Sequence, residues 1–131
     1  MDTTVQYFYK QISDFFNQIS GHMDSLCYVL IVCICLDYIS GVLNAIVRRK
    51  LSSKVGAKGI CKKILIFIIV SIGDLFDTIV IGEGSALRTS LILFYICNES
   101  ISILENAESI GVPIPNFLRR AIESLEKQNS D

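Results

Sequence analysis

The side chains able to do chemistry fall into three polar sets. Asp37, Ser40, Gly41 and Asn44, at offsets of 0, 3, 4 and 7, place a carboxylate, a hydroxyl, a bare backbone and an amide on one helical face. Ser71, Asp74, Asp77 and Thr78 repeat at 0, 3, 6 and 7, and Arg88, Tyr95, Asn98, Glu99 and Ser102 make the third set. Asp74 and Asp77 are the kind of carboxylate pair that general acid–base catalysis uses. A nucleophilic site needs a base, however, and His22 is the sole histidine, with no GxSxG elbow or phosphate-cradling glycine loop beside it. Cys33 and Cys35 stand one residue apart, which is neither redox nor zinc spacing. With Cys27, Cys61 and Cys97 they read as small apolar fillers. No catalysis, cofactor or metal site is expected.

The elements that must hold these residues suggest another use for them. The 131 residues make one domain, 51% apolar and only 19% charged, against about 25% charged in an average soluble domain. The mean hydropathy is +0.51. Small domains have much surface to cover, so a shortage of charge at this size points to lipid. Twelve Lys and Arg against thirteen Asp and Glu exclude a globally basic nucleic-acid binder.

Apolar runs at 26–47, 64–81 and 86–104 make helices of roughly 27–33 Å, close to the hydrocarbon thickness of a bilayer. Ile64 to Val70 is apolar on every side, unlike the single stripe of a soluble bundle helix. The expected fold is an all-α integral membrane protein, with three transmembrane helices flanked by N-terminal and C-terminal amphipathic helices. Met1 to Ile19 carries Asp2 and Asp14, has no basic start or apolar core of a cleaved signal, and is expected to stay in the mature protein. Val5, Phe8, Ile12, Phe15 and Ile19 give this segment a greasy face, to pack on the spans or lie in the membrane interface.

Orientation follows from charge. The stretch 48–63 holds Arg48, Arg49, Lys50, Lys54, Lys58, Lys62 and Lys63 and no acid. Short basic loops stay on the cytoplasmic side. This loop is therefore placed inside, segment 1–25 and the turn 82–85 outside, and the tail 105–131 inside as an amphipathic segment. The loop serves as a topology determinant or contacts anionic headgroups. It lacks the aromatic interleaving of a nucleic-acid binder.

An ionised side chain at a span centre costs roughly 2.5–3.5 kcal/mol on insertion scales, so the polar sets should face partners or water rather than lipid. By depth, Arg88 is expected to reach Asp77 or snorkel outward, and Glu99 to meet Lys62 or Lys63. Asp37 has no cation assigned to its depth, so it is read as protonated in a packed interface or ionised in a water-filled lumen. Gly41 and Ala45 make a small-xxx-small pair which, with the polar stripes, implies self-association.

Leu36–Gly41 (LDYISG), Lys50–Lys63 (KLSSKVGAKGICKK), Arg88–Thr89, Phe94–Glu105 (FYICNESISILE) and Gly111–Leu118 (GVPIPNFL) occur in an order that resembles the phage-lysis and toxin-secretion holin family, over roughly residues 36–125. The resemblance implies a non-enzymatic protein of the bacterial cytoplasmic membrane. It would form homo-oligomers among membrane lipids and open lesions for a cytosolic endolysin or an exported toxin. The first 25 residues share only shortness and amphipathicity with that family. A small selective ion channel and an antiholin-like accessory protein are the competing readings.

Overall fold

The computed structural model describes residues 2–21 and 24–130; His22 lies outside them. The described chain is helical throughout, with no strand: α1 (Thr3–Gly21), α2 (Ser25–Val47), α3 (Ser53–Leu75), α4 (Ala86–Ile110) and α5 (Asn116–Ser130). The end of α3 widens into a π-helical turn over Phe76–Ile81. The three candidate spans are Ser25–Val47, Ser53–Ile81 and Ala86–Ile110.

Local chemistry sets the boundaries. Asp24 caps α2 by accepting a hydrogen bond from the Cys27 N–H at 3.0 Å, and Ser52 caps α3 through the Val55 N–H at 3.2 Å. The Ser52 cap makes residues 53–63, read from sequence as part of a loop over 48–63, the first turns of α3. Only a tight link joins α2 to α3. There the Lys50 N–H donates to the Ala45 carbonyl at 2.9 Å while Arg49 takes a left-handed φ of 56°, a place that glycine usually fills. Gly111 fills the equivalent place after α4, with Val112 N–H donating to the Ala107 carbonyl. That cap sets the end of α4 at Ile110, past the 104 expected from hydropathy.

Most helix-to-helix contact is between α2 and α4, with α3 packed chiefly on α4. Contacts of Asp24 with Arg88 at one end, and of Ser40 with Asn106 toward the other, show α2 and α4 running parallel, with α3 running back antiparallel to both. Leu30, Ile34, Ile66, Val70 and Ile92 form a small apolar core. Gly73 allows α3 close to α4: a Cβ there would lie 2.6 Å from Leu91 Cδ1.

The outer surface inverts the pattern of a soluble protein. Leu36, Ile39, Leu43, Ile64, Leu65, Ile68, Ile72 and Phe94 are exposed, while Asp77 (1% exposed), Glu99 (3%) and Arg88 (6%) are buried. Charge inside and hydrocarbon outside is the arrangement a bilayer selects. The chain is a multi-pass membrane protein.

Candidate functional site

Two polar layers sit above and below the apolar core. The first is at the start of α2. Arg88, brought there by the first turn of α4, donates from Nη1 to Asp24 Oδ2 at 2.9 Å and from Nη2 to Asp24 Oδ1 at 3.2 Å. Its Nη2 also donates to Cys27 Sγ at 2.7 Å, so Cys27 is a polar partner rather than an apolar filler. Asp77 does not take the Arg88 side chain. Its carboxylate instead accepts the backbone N–H groups of Leu87 (3.1 Å) and Arg88 (2.8 Å), capping α4 where Ser85 makes no cap bond of its own. The π turn delivers Asp77 to that position, and Gly82, at φ 87°, returns its N–H to the Asp77 carbonyl at 2.9 Å. Asp74 Oδ1 stands 4.0 Å from Arg88 Nε at the edge of the layer. The Arg88 guanidinium and the Cys27 N–H hold the Asp24 carboxyl far below the usual carboxylate range.

Farther along α2 by thirteen residues, about 20 Å of helix, lies the second layer. Lys63 donates from Nζ to both Asp37 Oδ2 and Glu99 Oε2. Asn106 Nδ2 donates to Asp37 Oδ1 at 3.3 Å and to Ser40 Oγ at 2.9 Å, and Ser40 Oγ donates back to the Asp37 carbonyl at 2.9 Å. Asp37 and Glu99 stand near the middles of α2 and α4, so this layer falls at mid-span. Two corrections follow. Asp37 does have a cation at its depth, because α3 is helical from Ser53 and its third turn carries Lys63 inward. For the same reason Lys63 is largely buried, at 17% exposure, and does not sit with the other basic residues at the surface.

The remaining candidates are placed as follows. Gly41 faces Asn106, whose Nδ2 would stand 3.7 Å from an added Cβ. Asn44 Oδ1 is buried without a hydrogen-bond partner. Asn98 is exposed and lines a crevice of about 350 Å³ on the Glu99 flank of the mid-span layer. Arg48, Arg49, Lys50, Lys54, Lys58 and Lys62 are exposed around the α2–α3 link. Among the described residues no group of three His, Cys, Asp or Glu side chains is placed to hold a metal ion. The residues that sequence reasoning missed are Asp24, Asn106 and Gly73. Asp24 directly precedes an apolar run as helix caps do, and Asn106 continues the Glu99–Ser102 face of α4; those spacings were the available signals.

The geometry places charge at mid-span and hydrocarbon outside, and comparison with known proteins decides the family. The description "bacteriophage holin family" matches residues 14–127, a stretch that includes both polar layers. The chain belongs to the bacteriophage holin family. A probable holin of Bacillus phage phi105 is 36% identical over 94 residues, covering 72% of this chain and 69% of its own. An uncharacterised protein of Clostridium perfringens strain 13 is 40% identical over 115 residues, 88% of this chain and 85% of the relative. Another, from Listeria monocytogenes, is 40% identical over 116 residues, 88% and 82% of the two chains. No solved structure matches. As a holin family member with three apolar spans, the chain is a multi-pass membrane protein.

Proposed function

We propose that this chain opens lesions in the bacterial cytoplasmic membrane, wide enough to pass a folded cytosolic endolysin, with the N-terminus outside and the C-terminus in the cytoplasm. Toxin or protein export would use the same opening with a different cargo. The observation that carries the reading is the mid-span Asp37–Lys63–Glu99 layer. A three-helix chain that needed only to sit in lipid would have no use for three ionisable groups at that depth, each expensive to insert.

Closed, the layer satisfies itself inside one chain and lipid meets hydrocarbon. In a crowded patch of copies, the helices separate or rotate, and the faces bearing Asp37, Ser40, Asn44, Lys63 and Glu99 turn from each other toward shared water. Packed interfaces are bistable, which makes such a change abrupt. Homo-oligomers follow, since three helices enclose too little space for a protein to pass.

The test is inducible expression in bacteria carrying a cytosolic muralytic enzyme without a signal sequence, with membrane potential and turbidity followed together. Abrupt depolarisation and enzyme-dependent lysis are expected. Depolarisation with the enzyme retained would replace this reading by a small channel, and neither event at verified membrane levels would replace it by an accessory protein.

A further inference from the structure

Beside the mid-span layer, where α2 ends and α3 begins, lies an open crevice of about 490 Å³, within the range of small-molecule pockets. Its floor is the Asp37–Lys63 pair. Its apolar wall is Val42, Ala45, Leu51 and Val55, and Lys50 and Lys62 stand at its margin. Tyr38 separates the helices by lying over two glycines: an added Cβ at Gly56 would be 3.4 Å from its Oη, and one at Gly59 would be 3.7 Å from its ring.

Three features define an occupant. Lys50 and Lys62 form no ion pair with a described acid, in contrast to Lys63, so the margin presents uncompensated positive charge. The wall beneath is apolar and runs out onto the exposed side chains of Leu43, Val47 and Leu51, the surface that meets acyl chains. The crevice runs from the α2–α3 link, where Lys50 stands at headgroup level, down to the mid-span Asp37–Lys63 pair. A free anion would satisfy the lysines and leave the wall wet, and an acidic peptide would have to enter from the bilayer side. A molecule with an anionic head joined to a hydrocarbon chain fits both parts.

We infer that this crevice is a binding site for one anionic phospholipid, its phosphate at Lys50 near the mouth with Lys62 reaching up to it from deeper in the wall, and an acyl chain along Val42, Ala45 and Val55. The site deepens the proposed function, since it supposes that the α2–α3 link faces the anionic inner leaflet. Its occupant would wedge the α2–α3 gap directly above the mid-span layer and so join lipid composition to the stability of the closed bundle.

The test is binding of phosphatidylglycerol to the purified full chain in nonionic micelles, read by native mass spectrometry, with phosphatidylcholine of the same acyl chains as comparison. Because the assay contains no cell, its outcome is independent of whether the chain lyses bacteria. Phosphatidylglycerol should be retained preferentially. Lys50→Gln with Lys62→Gln should weaken retention about tenfold or more, at about one charge contact per lysine. Lys54→Gln with Lys58→Gln makes the same change in net charge on residues outside the crevice, and should alter retention less than threefold by the same reckoning, roughly. Val55→Trp keeps every charge and fills the wall, and should also weaken binding, which protects the test if the lysine variant misfolds. Equal losses in the two lysine pairs, no preference over phosphatidylcholine, or unchanged binding by Val55→Trp would overturn the site. Displacement of the lipid by millimolar inorganic phosphate would mark a simple anion site and overturn the lipid assignment.

Discussion

Lys63 holds two carboxylates together, and this asymmetry makes its removal the most informative single change. Deleting one partner of a buried ion pair is destabilising by about 3–5 kcal/mol, because the other charges stay behind. Lys63→Met should therefore lower the thermal unfolding midpoint in detergent and bring membrane opening earlier. Asp37→Asn with Glu99→Gln added to Lys63→Met removes the orphaned charges and should restore most of the midpoint. If the triple variant is no more stable than Lys63→Met, the layer is not an electrostatic unit. Asp24 behaves differently because it is about half exposed, so its pairing with Arg88 is screened. Its folded-state carboxyl is held well below the unfolded value of about 3.9, so its contribution is present above that value and lost as pH falls through the folded one. The stability gap between the native chain and Asp24→Asn should stay flat from pH 7 to 5 and shrink only below about 4. Thermal unfolding across that range checks it, and a gap closing near pH 6 would assign the effect to another group.

At the scale of elements, the approach of α3 to α4 at Gly73 decides whether the charged layers line up. A side chain at that point collides with Leu91, while the Arg88 backbone stands behind it, Cα 3.5 Å from an added Cβ. Gly73→Leu should destabilise the bundle by roughly 1–3 kcal/mol, the range for overpacking, and Leu91→Ala in the same chain should recover part of it. Unfolding midpoints of the single and double variants measure this, and no recovery would mean the strain falls on the backbone instead. The three spans were legible because hydropathy alone marks them, and the polar faces because offsets of 3, 4 and 7 mark a helix side. The partners were less legible, for a physical reason: pairing depends on depth, and depth depends on where each helix starts. Seven cations and no acid over residues 48–63 read as loop, yet Ser52 caps a helix inside that stretch, and the shift carries Lys63 from the surface to Asp37. Asp77 likewise read as a partner for the Arg88 side chain, and only the π turn, which no periodicity announces, brings it to the α4 backbone.

For the whole molecule, the direction in which the bundle points sets the sign with which the membrane potential acts on the mid-span charges. Moving one charge through 100 mV is worth about 2.3 kcal/mol, so a layer halfway across feels roughly half of that when it separates. The α2–α3 link carries Arg48, Arg49 and Lys50 and continues into Lys54, Lys58 and Lys62 of α3, whereas the 82–85 turn carries only Glu83. The proposed orientation, with the link in the cytoplasm and Glu83 outside, rests on the retention of basic segments on the inner side. In a chain with its five cysteines replaced, Glu83→Cys should react with a membrane-impermeant maleimide on intact spheroplasts, and Lys58→Cys only after permeabilisation. The reverse pattern would put Lys50 and Lys62 at the outer leaflet and reverse the sign with which potential acts on Asp37, Lys63 and Glu99. Labelling of both sites from outside, before any depolarisation, would mean that the resting bundle is already open to water. Closure would then have to come from contacts between copies rather than from the Lys63 layer within one chain.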